Sequence, residues 1–351
     1  MPGLFDPVTI GPVTLRNRVV MAPMTRSRAG ANDEPTALNV EYYRQRANAG
    51  LVISEGVYPS PEGKGYCRTP GICTPEQIAG WRAVTDAVHA EGGLFCMQLM
   101  HCGRVGHPDN KLPGTDAVAP SAIRANAEIF TEGGMKPLME PRALRLEEIP
   151  EVIAGYQQAT RNAFEAGADL VELHCTSGYL PAQFLSTGTN KRTDRYGGSL
   201  ENRARFVIEV LQAMSAVAGP ERVGIRICPG NPFNDLQDDN PRETFDYLLS
   251  QIGGMGLAYL HAIRATPGID VVAMRKAHFP GPFIINDSFD GASANAIIKK
   301  GDADMVAFGR HYISNPDLVQ RLQKGLPLAP FNPRTMYTPG PEGYTDYPAA
   351  T

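Results

Sequence analysis

The chain has 351 residues, 42% hydrophobic and 20% charged, with 33 basic and 37 acidic side chains and a net charge of -4. That balance sets aside a general nucleic-acid binder, which carries a basic excess or basic blocks, and no apolar run approaches the roughly 18 residues of a membrane span. Six scattered cysteines are too few for a disulfide scaffold, and the first residues show neither a basic nor an apolar leader region, so a reduced, cytoplasmic protein is expected.

Along the chain, short apolar runs alternate with helix-like segments. The runs are Val19–Ala22, Leu51–Glu55, Leu94–Leu99, Leu170–His174, Val223–Cys228, Leu257–Ile263, Phe283–Asn286 and Met305–Gly309. Each is brief and flanked by Gly, Pro, Asp or Asn, as strands buried on both faces of a parallel sheet are. Helices are expected over 35–49, 75–91, 147–166, 199–218, 241–253, 270–278, 291–300 and 315–324. Thr74-Pro75-Glu76-Gln77 reads as a capping box with proline at the first helical position, and Asn240-Pro241-Arg242-Glu243 repeats it. Asn315-Pro316 opens the last helix and Gly325 stops it; Gly50, Gly92, Gly167, Gly219, Gly253 and Gly301 stand where left-handed C-caps belong. Eight strands alternating with eight helices predict a (β/α)₈ TIM barrel spanning 1–351 as one domain, with residues 100–146 as a lid or binding loop after the third strand.

Such barrels carry their chemistry at the C-terminal strand ends. Those positions hold Pro23-Met24-Thr25-Arg26, Glu55-Gly56, Gln98, His174, Arg226, Asn286 and Gly309-Arg310. The set has donors for carbonyls and no carboxylate cluster for a metal. Gly309-Arg310, after the eighth strand, matches the usual barrel phosphate site. Arg226 and Gln98 suit a planar heterocycle, so the positions together suggest a phosphorylated aromatic cofactor.

Several motifs add a family resemblance. Met21-Ala22-Pro23-Met24-Thr25-Arg26, Gln98-Leu99, His174-Cys175-Thr176-Ser177-Gly178-Tyr179-Leu180 and Asn190-Lys191-Arg192-Thr193-Asp194-Arg195-Tyr196-Gly197-Gly198 resemble the old yellow enzyme family, in order and over nearly the whole chain. The resemblance implies an FMN-dependent ene-reductase. Hydride passes from NADPH or NADH to FMN and then to an electron-poor alkene (an enone, maleimide or nitroalkene) in a ping-pong cycle. It assigns Pro23, Met24, Thr25, Gly56, Gln98, Arg226, Asp287, Ser288, Gly309 and Arg310 to the cofactor. His174 polarises the substrate oxygen, and Tyr179 protonates carbon. Ser177, Met100 and Tyr337 complete the substrate site.

Three positions depart from the family pattern. Ser177 replaces the usual Asn or His, so the second donor to the substrate oxygen is either missing or supplied through water. Met100 replaces a common Trp and is expected to leave room for bulkier ligands. Asp287 and Ser288 occupy a phosphate-side turn that usually carries glycine. Trp81 and the Asn190–Arg203 block read as structural, and His101 to His107 lacks a standard zinc spacing. Two other readings stay open: the same flavin fold with a specialised reaction (desaturation, isomerisation or nitro-group reduction), and a low-turnover flavin-binding protein. Neither a nucleic acid nor a membrane is expected as partner, and homo-oligomerisation is undetermined.

Overall fold

The computed structural model describes residues 1–264 and 266–350. Its centre is a closed parallel barrel of β1 (Val19–Met21), β2 (Leu51–Ile53), β3 (Phe95–Leu99), β4 (Leu170–Cys175), β5 (Val223–Ile227), β6 (Tyr259–Ile263), β7 (Phe283–Asn286) and β8 (Met305–Phe308). β8 returns to β1 with Phe308 opposite Met21, so no strand edge remains unpaired in the barrel. All eight predicted runs supply one strand each, for a simple reason: helices cover the outside and side chains fill the inside, which selects apolar residues at both alternations.

The two alternations part cleanly. Outward residues such as Val52, Met97, Val171 and Ile225 pack under the helices in one cluster. Inward residues Val20, Leu51, Cys96, Leu170, Tyr259, Ile284 and Met305 form a second cluster, closed at the bottom by Ile10 and Leu15 of an antiparallel hairpin, Val8–Ile10 with Val13–Leu15. Two residues further along, the inward positions of five strands, β3 to β7, turn polar (Gln98, Glu172, Arg226, His261 and Asn286), while β1, β2 and β8 stay apolar there with Ala22, Ile53 and Ala307. An apolar plug below and a polar layer above fix the site at the C-terminal end of the barrel.

The helices in chain order are α1 (Ala37–Arg44), α2 (Pro75–Ala90), α3 (Ile149–Glu165), α4 (Leu180–Leu185), α5 (Leu200–Ala218), α6 (Pro241–Ile252), α7 (Val271–His278), α8 (Gly291–Lys300), α9 (Arg310–Ser314) and α10 (Leu318–Lys324). The capping box at Thr74 forms, and Asn240 caps α6. Trp81 is fully buried with its Nε1–H on the Gly71 carbonyl. In the polar block, Asn190 donates to the carbonyls of Phe184 and Tyr196, Arg192 pairs with Asp194, and Ser199 caps α5.

Several boundaries differ from expectation. α1 ends at Arg44 rather than reaching residue 49, and its C-cap is Gln45; Gly50 instead lies against the Asn17 carbonyl, where a Cβ would sit 2.0 Å away. Gly253 is right-handed because α6 simply runs into it, whereas Gly92, Gly167, Gly219 and Gly301 do take positive φ. The last helix starts at Leu318, because the separate short α9 occupies the chain directly after β8. The 100–146 excursion contains an antiparallel hairpin, Glu128–Thr131 with Gly134–Pro137, tethered by the Asn110 amide on the Phe130 carbonyl (2.8 Å) and by the Lys136–Asp109 ion pair. No described helix is long and apolar enough to cross a membrane.

Candidate active site

Two cavities open at the C-terminal end of the barrel. The first, 290 Å³, is bounded by Pro23, Met24, Arg226, Asp287, Ser288, Gly309 and Arg310, all predicted cofactor residues. The second, 540 Å³, has Thr25 and Tyr179 in its walls and Tyr337 at its mouth. The segment Pro23-Met24-Thr25 and the pair Met336-Tyr337 each contribute to both cavities, so a flat ligand can span them.

The first cavity has the chemistry of an anion site beside a heterocycle site. Asp287 and Ser288 take φ of 90° and 57°, and the Arg264 guanidinium grips both of their carbonyl oxygens at 2.9 and 3.0 Å, fixing the turn. Arg310 reaches over the rim, 69% exposed, with its guanidinium 3.9 Å from the Asp287 carboxylate. The Asp287 carboxylate therefore faces this guanidinium at the cavity rim. Arg226 donates to Asn286 Oδ1 at 2.8 Å, while its Nε–H is buried without an acceptor among the described residues. A buried guanidinium N–H that lacks an acceptor fits a ligand edge rich in acceptors, as an isoalloxazine pyrimidine ring is. The residues present therefore fit FMN.

Gly56, Gln98, His174, Ser177 and Met100 line neither cavity wall. Gln98 is 1% exposed, and its Nε2 donates to Glu172 Oε1 at 2.7 Å. His174 is buried, and its Nδ1 accepts the Thr176 backbone N–H at 3.4 Å. That contact places the ring proton on Nε2, leaving Nε2–H as the free donor. Burial first, then the nearby Arg226 charge, push the His174 pKa well below the usual value, so the donor is a neutral imidazole.

The His174 and Tyr179 rings meet edge to face at 4.8 Å and 89°. Tyr179 Oη lies 2.9 Å from Tyr66 Oη, in a loop that sequence reasoning missed. Burial, and then Tyr66, raise the Tyr179 pKa well above ordinary phenol, keeping it protonated. Ser177, between them in sequence, sits at φ 56°, and its carbonyl accepts the Asn234 amide at 2.8 Å. Met100 is buried with Ile129, Leu138 and Tyr179 and has its thioether against Gly56, where a Cβ would meet sulfur at 2.4 Å. It fills space beside the site rather than widening it. The C-terminal segment is held over the site by Arg26, which donates to the Met336 and Gly343 carbonyls, and by Arg28, which donates to Thr335, Gly340 and Glu342.

Residues 3–329 match the family model described as NADH:flavin oxidoreductase / NADH oxidase. The chain is 40% identical to a flavin oxidoreductase of Emericella nidulans, covering 99% of this chain and 97% of the relative. It is also 40% identical to a probable flavin mononucleotide-dependent alkene reductase of Leishmania infantum, covering 98% and 97%. Among solved structures, morphinone reductase superposes with a TM-score of 0.95 at 45% identity over 99% of this chain and 96% of that one. The old yellow enzyme homologue of Zymomonas mobilis superposes with a TM-score of 0.96 at 38% identity over 99% and 100%. The chain belongs to the NADH:flavin oxidoreductase / NADH oxidase family, as an FMN-dependent barrel oxidoreductase of the old yellow enzyme type.

Proposed function

We propose that the protein is an NAD(P)H-dependent ene-reductase in which His174 and Tyr179 act on the two ends of an electron-poor alkene. The observation that carries this reading is their pairing: a neutral imidazole with Nε2–H free, edge to face at 4.8 Å with a protonated, buried phenol. Bound FMN supplies hydride capacity, accepting from nicotinamide and donating to the alkene. His174 donates its hydrogen bond to the carbonyl or nitro oxygen and so draws density from the double bond. Tyr179 then delivers a proton from its hydroxyl to the carbon that did not receive hydride. Tyr66 holds that hydroxyl in place. On the cofactor side Thr25, Gln98 and Arg226 meet the ring, Pro23 and Met24 wall it, and the Asp287-Ser288 turn, Gly309 and Arg310 hold the phosphate; Gly56, packed against the Met100 thioether, stands outside the cavity lining.

The mouth of the larger cavity also bears on the substrate. Among the described residues, Phe130, Met135, Phe233 and Tyr337 are four of the seven exposed large hydrophobic side chains, and all four line this one cavity. An apolar rim above a polar floor suits a substrate with a sizeable hydrocarbon body and one activating group. The hairpin carrying Phe130 and Met135 serves as the lid. The test is an anaerobic titration of the purified yellow protein with NADPH or NADH, followed by an enone. Bleaching and stoichiometric recovery of the flavin band support the assignment. A flavin that no nicotinamide bleaches would leave a flavin-binding protein without turnover.

A further inference from the structure

Beneath the site lies a fully buried carboxylate that the mechanism above does not use. Glu172 is on β4, in register with Gln98 of β3 on one side and Gly224 of β5 on the other. Its Oε1 accepts Gln98 Nε2 at 2.7 Å and its Oε2 meets His261 Nδ1 at 2.8 Å, with Glu172 and His261 both 0% exposed. Gly224 is required there: a Cβ would lie 2.4 Å from the ring of Tyr259, whose hydroxyl closes the floor on Cys96 at 3.2 Å.

We propose that Glu172 is a positioning residue for the flavin, fixing the Gln98 amide and offsetting the Arg226 charge, and so setting both flavin affinity and reduction potential. The first half follows from hydrogen-bond inventory. An ionised carboxylate only accepts, so it settles which way the Gln98 amide is turned: one N–H toward Glu172, the carbonyl oxygen away from it. What remains for a ligand is one acceptor and one donor side by side, complementary to the N–H and carbonyl of a pyrimidine edge. Without Glu172 the two amide orientations lose their difference, and half of them present the wrong pattern.

The second half follows from charge. Burial opposes ionisation of Glu172, but His261, Arg226 and Gln98 together hold its pKa below the ordinary carboxylate value. Burial pushes the pKa values of His174 and His261 downward, so both rings are neutral at pH 7 and His261 acts on Glu172 through the hydrogen bond from its Nδ1–H. Arg226 has no ion-pair partner among the described residues, and Glu172 is the foremost group sustaining its charge against burial. The flavin thus meets one buried cation balanced by one buried anion. Removing the anion leaves Arg226 uncompensated, which favours the more negative, reduced flavin.

The inference rests on the FMN assignment above, and the holoenzyme tests both. Midpoint potential, FMN affinity and the two half-reactions are compared in wild type, Glu172→Gln and Glu172→Asp. Glu172→Gln keeps the shape and loses the charge. Its potential is expected to rise, shifting the NADPH–flavin equilibrium toward reduced flavin by about tenfold or more, with faster reduction by NADPH and slower reoxidation by enone. Glu172→Asp keeps the charge but draws it back from Gln98, so FMN binding is expected to weaken about tenfold while the potential stays near wild type. The inference falls if Glu172→Gln leaves the potential unchanged, or if Glu172→Asp moves it equally far. Should Glu172→Gln not fold, wild-type FMN affinity in Glu172→Asp overturns the positioning role by itself. A wild-type protein that binds no FMN would instead overturn the functional reading and this inference together.

Discussion

Replacing Ser177 with Asn is the sharpest probe of the substrate side. His174 offers one N–H, from Nε2, to the substrate oxygen, and Ser177 Oγ has no hydrogen bond among the described residues. The backbone at 177 is left-handed, φ 56°, and is pinned there by Asn234 on its carbonyl and by Gly178 at φ 75°. Asn is several-fold enriched at such φ, a preference of roughly 0.5–1 kcal/mol, so the substitution suits the chain where it stands. A rise in Tm of about 1–2 °C is expected for a protein of this size. An amide N–H beside His174 adds a second donor at developing charge, worth about 1.5–3 kcal/mol, or roughly ten- to a hundredfold in kcat/KM. The gain falls on weakly activated substrates. Cyclohexenone and N-ethylmaleimide assayed side by side read it directly: cyclohexenone is expected to accelerate and the maleimide to change little. If both rates stay flat while Tm rises, the backbone argument survives and the missing-donor argument is refuted. If both rates fall together, serine belongs to a pocket shaped for a specialised reaction.

Four further substitutions have expected outcomes. Arg310→Ala removes an exposed guanidinium from the phosphate, at the low end of a charge-assisted bond, about 1.5 kcal/mol, so FMN affinity by fluorescence titration drops about tenfold; Asp287→Asn, lacking the carboxylate 3.9 Å away, tightens it at low salt. An unchanged affinity in Arg310→Ala takes that residue out of the site. Tyr179→Phe keeps a near-normal rate of reduction by NADPH but loses roughly 10²–10⁴ in enone turnover; equal slowing of both half-reactions would mean the phenol is structural. Burial raises the Glu55 pKa to about 7, against the backbone N–H and charge of Arg26, which lower it. The folded chain therefore binds this proton more tightly than the unfolded one. The stabilisation is complete below about pH 4.5 and is lost as pH rises through 7, about 3 kcal/mol in all. Glu55→Gln is expected to flatten that part of the stability–pH curve, and a wild-type-like slope in the variant would show that Glu55 does not carry it.

The barrel was legible because strands buried on both faces leave dense apolar runs, and their C-terminal ends announce the polar positions. The elements that escaped reading lack periodicity. α4 is six residues, all buried, so it has no polar face to alternate with. α9 is five residues, too short for a repeat. The 128–137 hairpin pairs only four residues on each side around Glu132-Gly133, inside an excursion with no other pattern. Among site residues, Glu172 was within reach. It lies two positions before His174 on the same face of β4, where a buried carboxylate in an apolar run asks for partners. Tyr66 gave no such sign, since its place beside Tyr179 depends on how a loop packs and not on spacing. Met100 gives little sign for a related reason: sequence sets its width beside a ligand, while its neighbours, Gly56 and a cluster that includes Ile129, are set by loop packing.

The loops around the two cavities also hold backbone strain. Eight described non-glycine residues take positive φ, and five of them, Ser27, Arg68, Asn234, Asp287 and Ser288, line the two cavities. Each such residue costs on the order of 1–3 kcal/mol and persists only where its surroundings over-determine it. Arg68 shows how that happens. At φ 50° a glycine would sit more easily, yet the arginine side chain donates to the Ser27 carbonyl and the Tyr337 carbonyl, each at 2.9 Å, and pairs with Glu132 at the hairpin turn. One guanidinium thereby ties the loop after β1, the C-terminal segment and the 128–137 hairpin to each other at the cavity mouth. A glycine would relieve the backbone and release all three walls, so the strained conformation at position 68 is retained for the side chain it places.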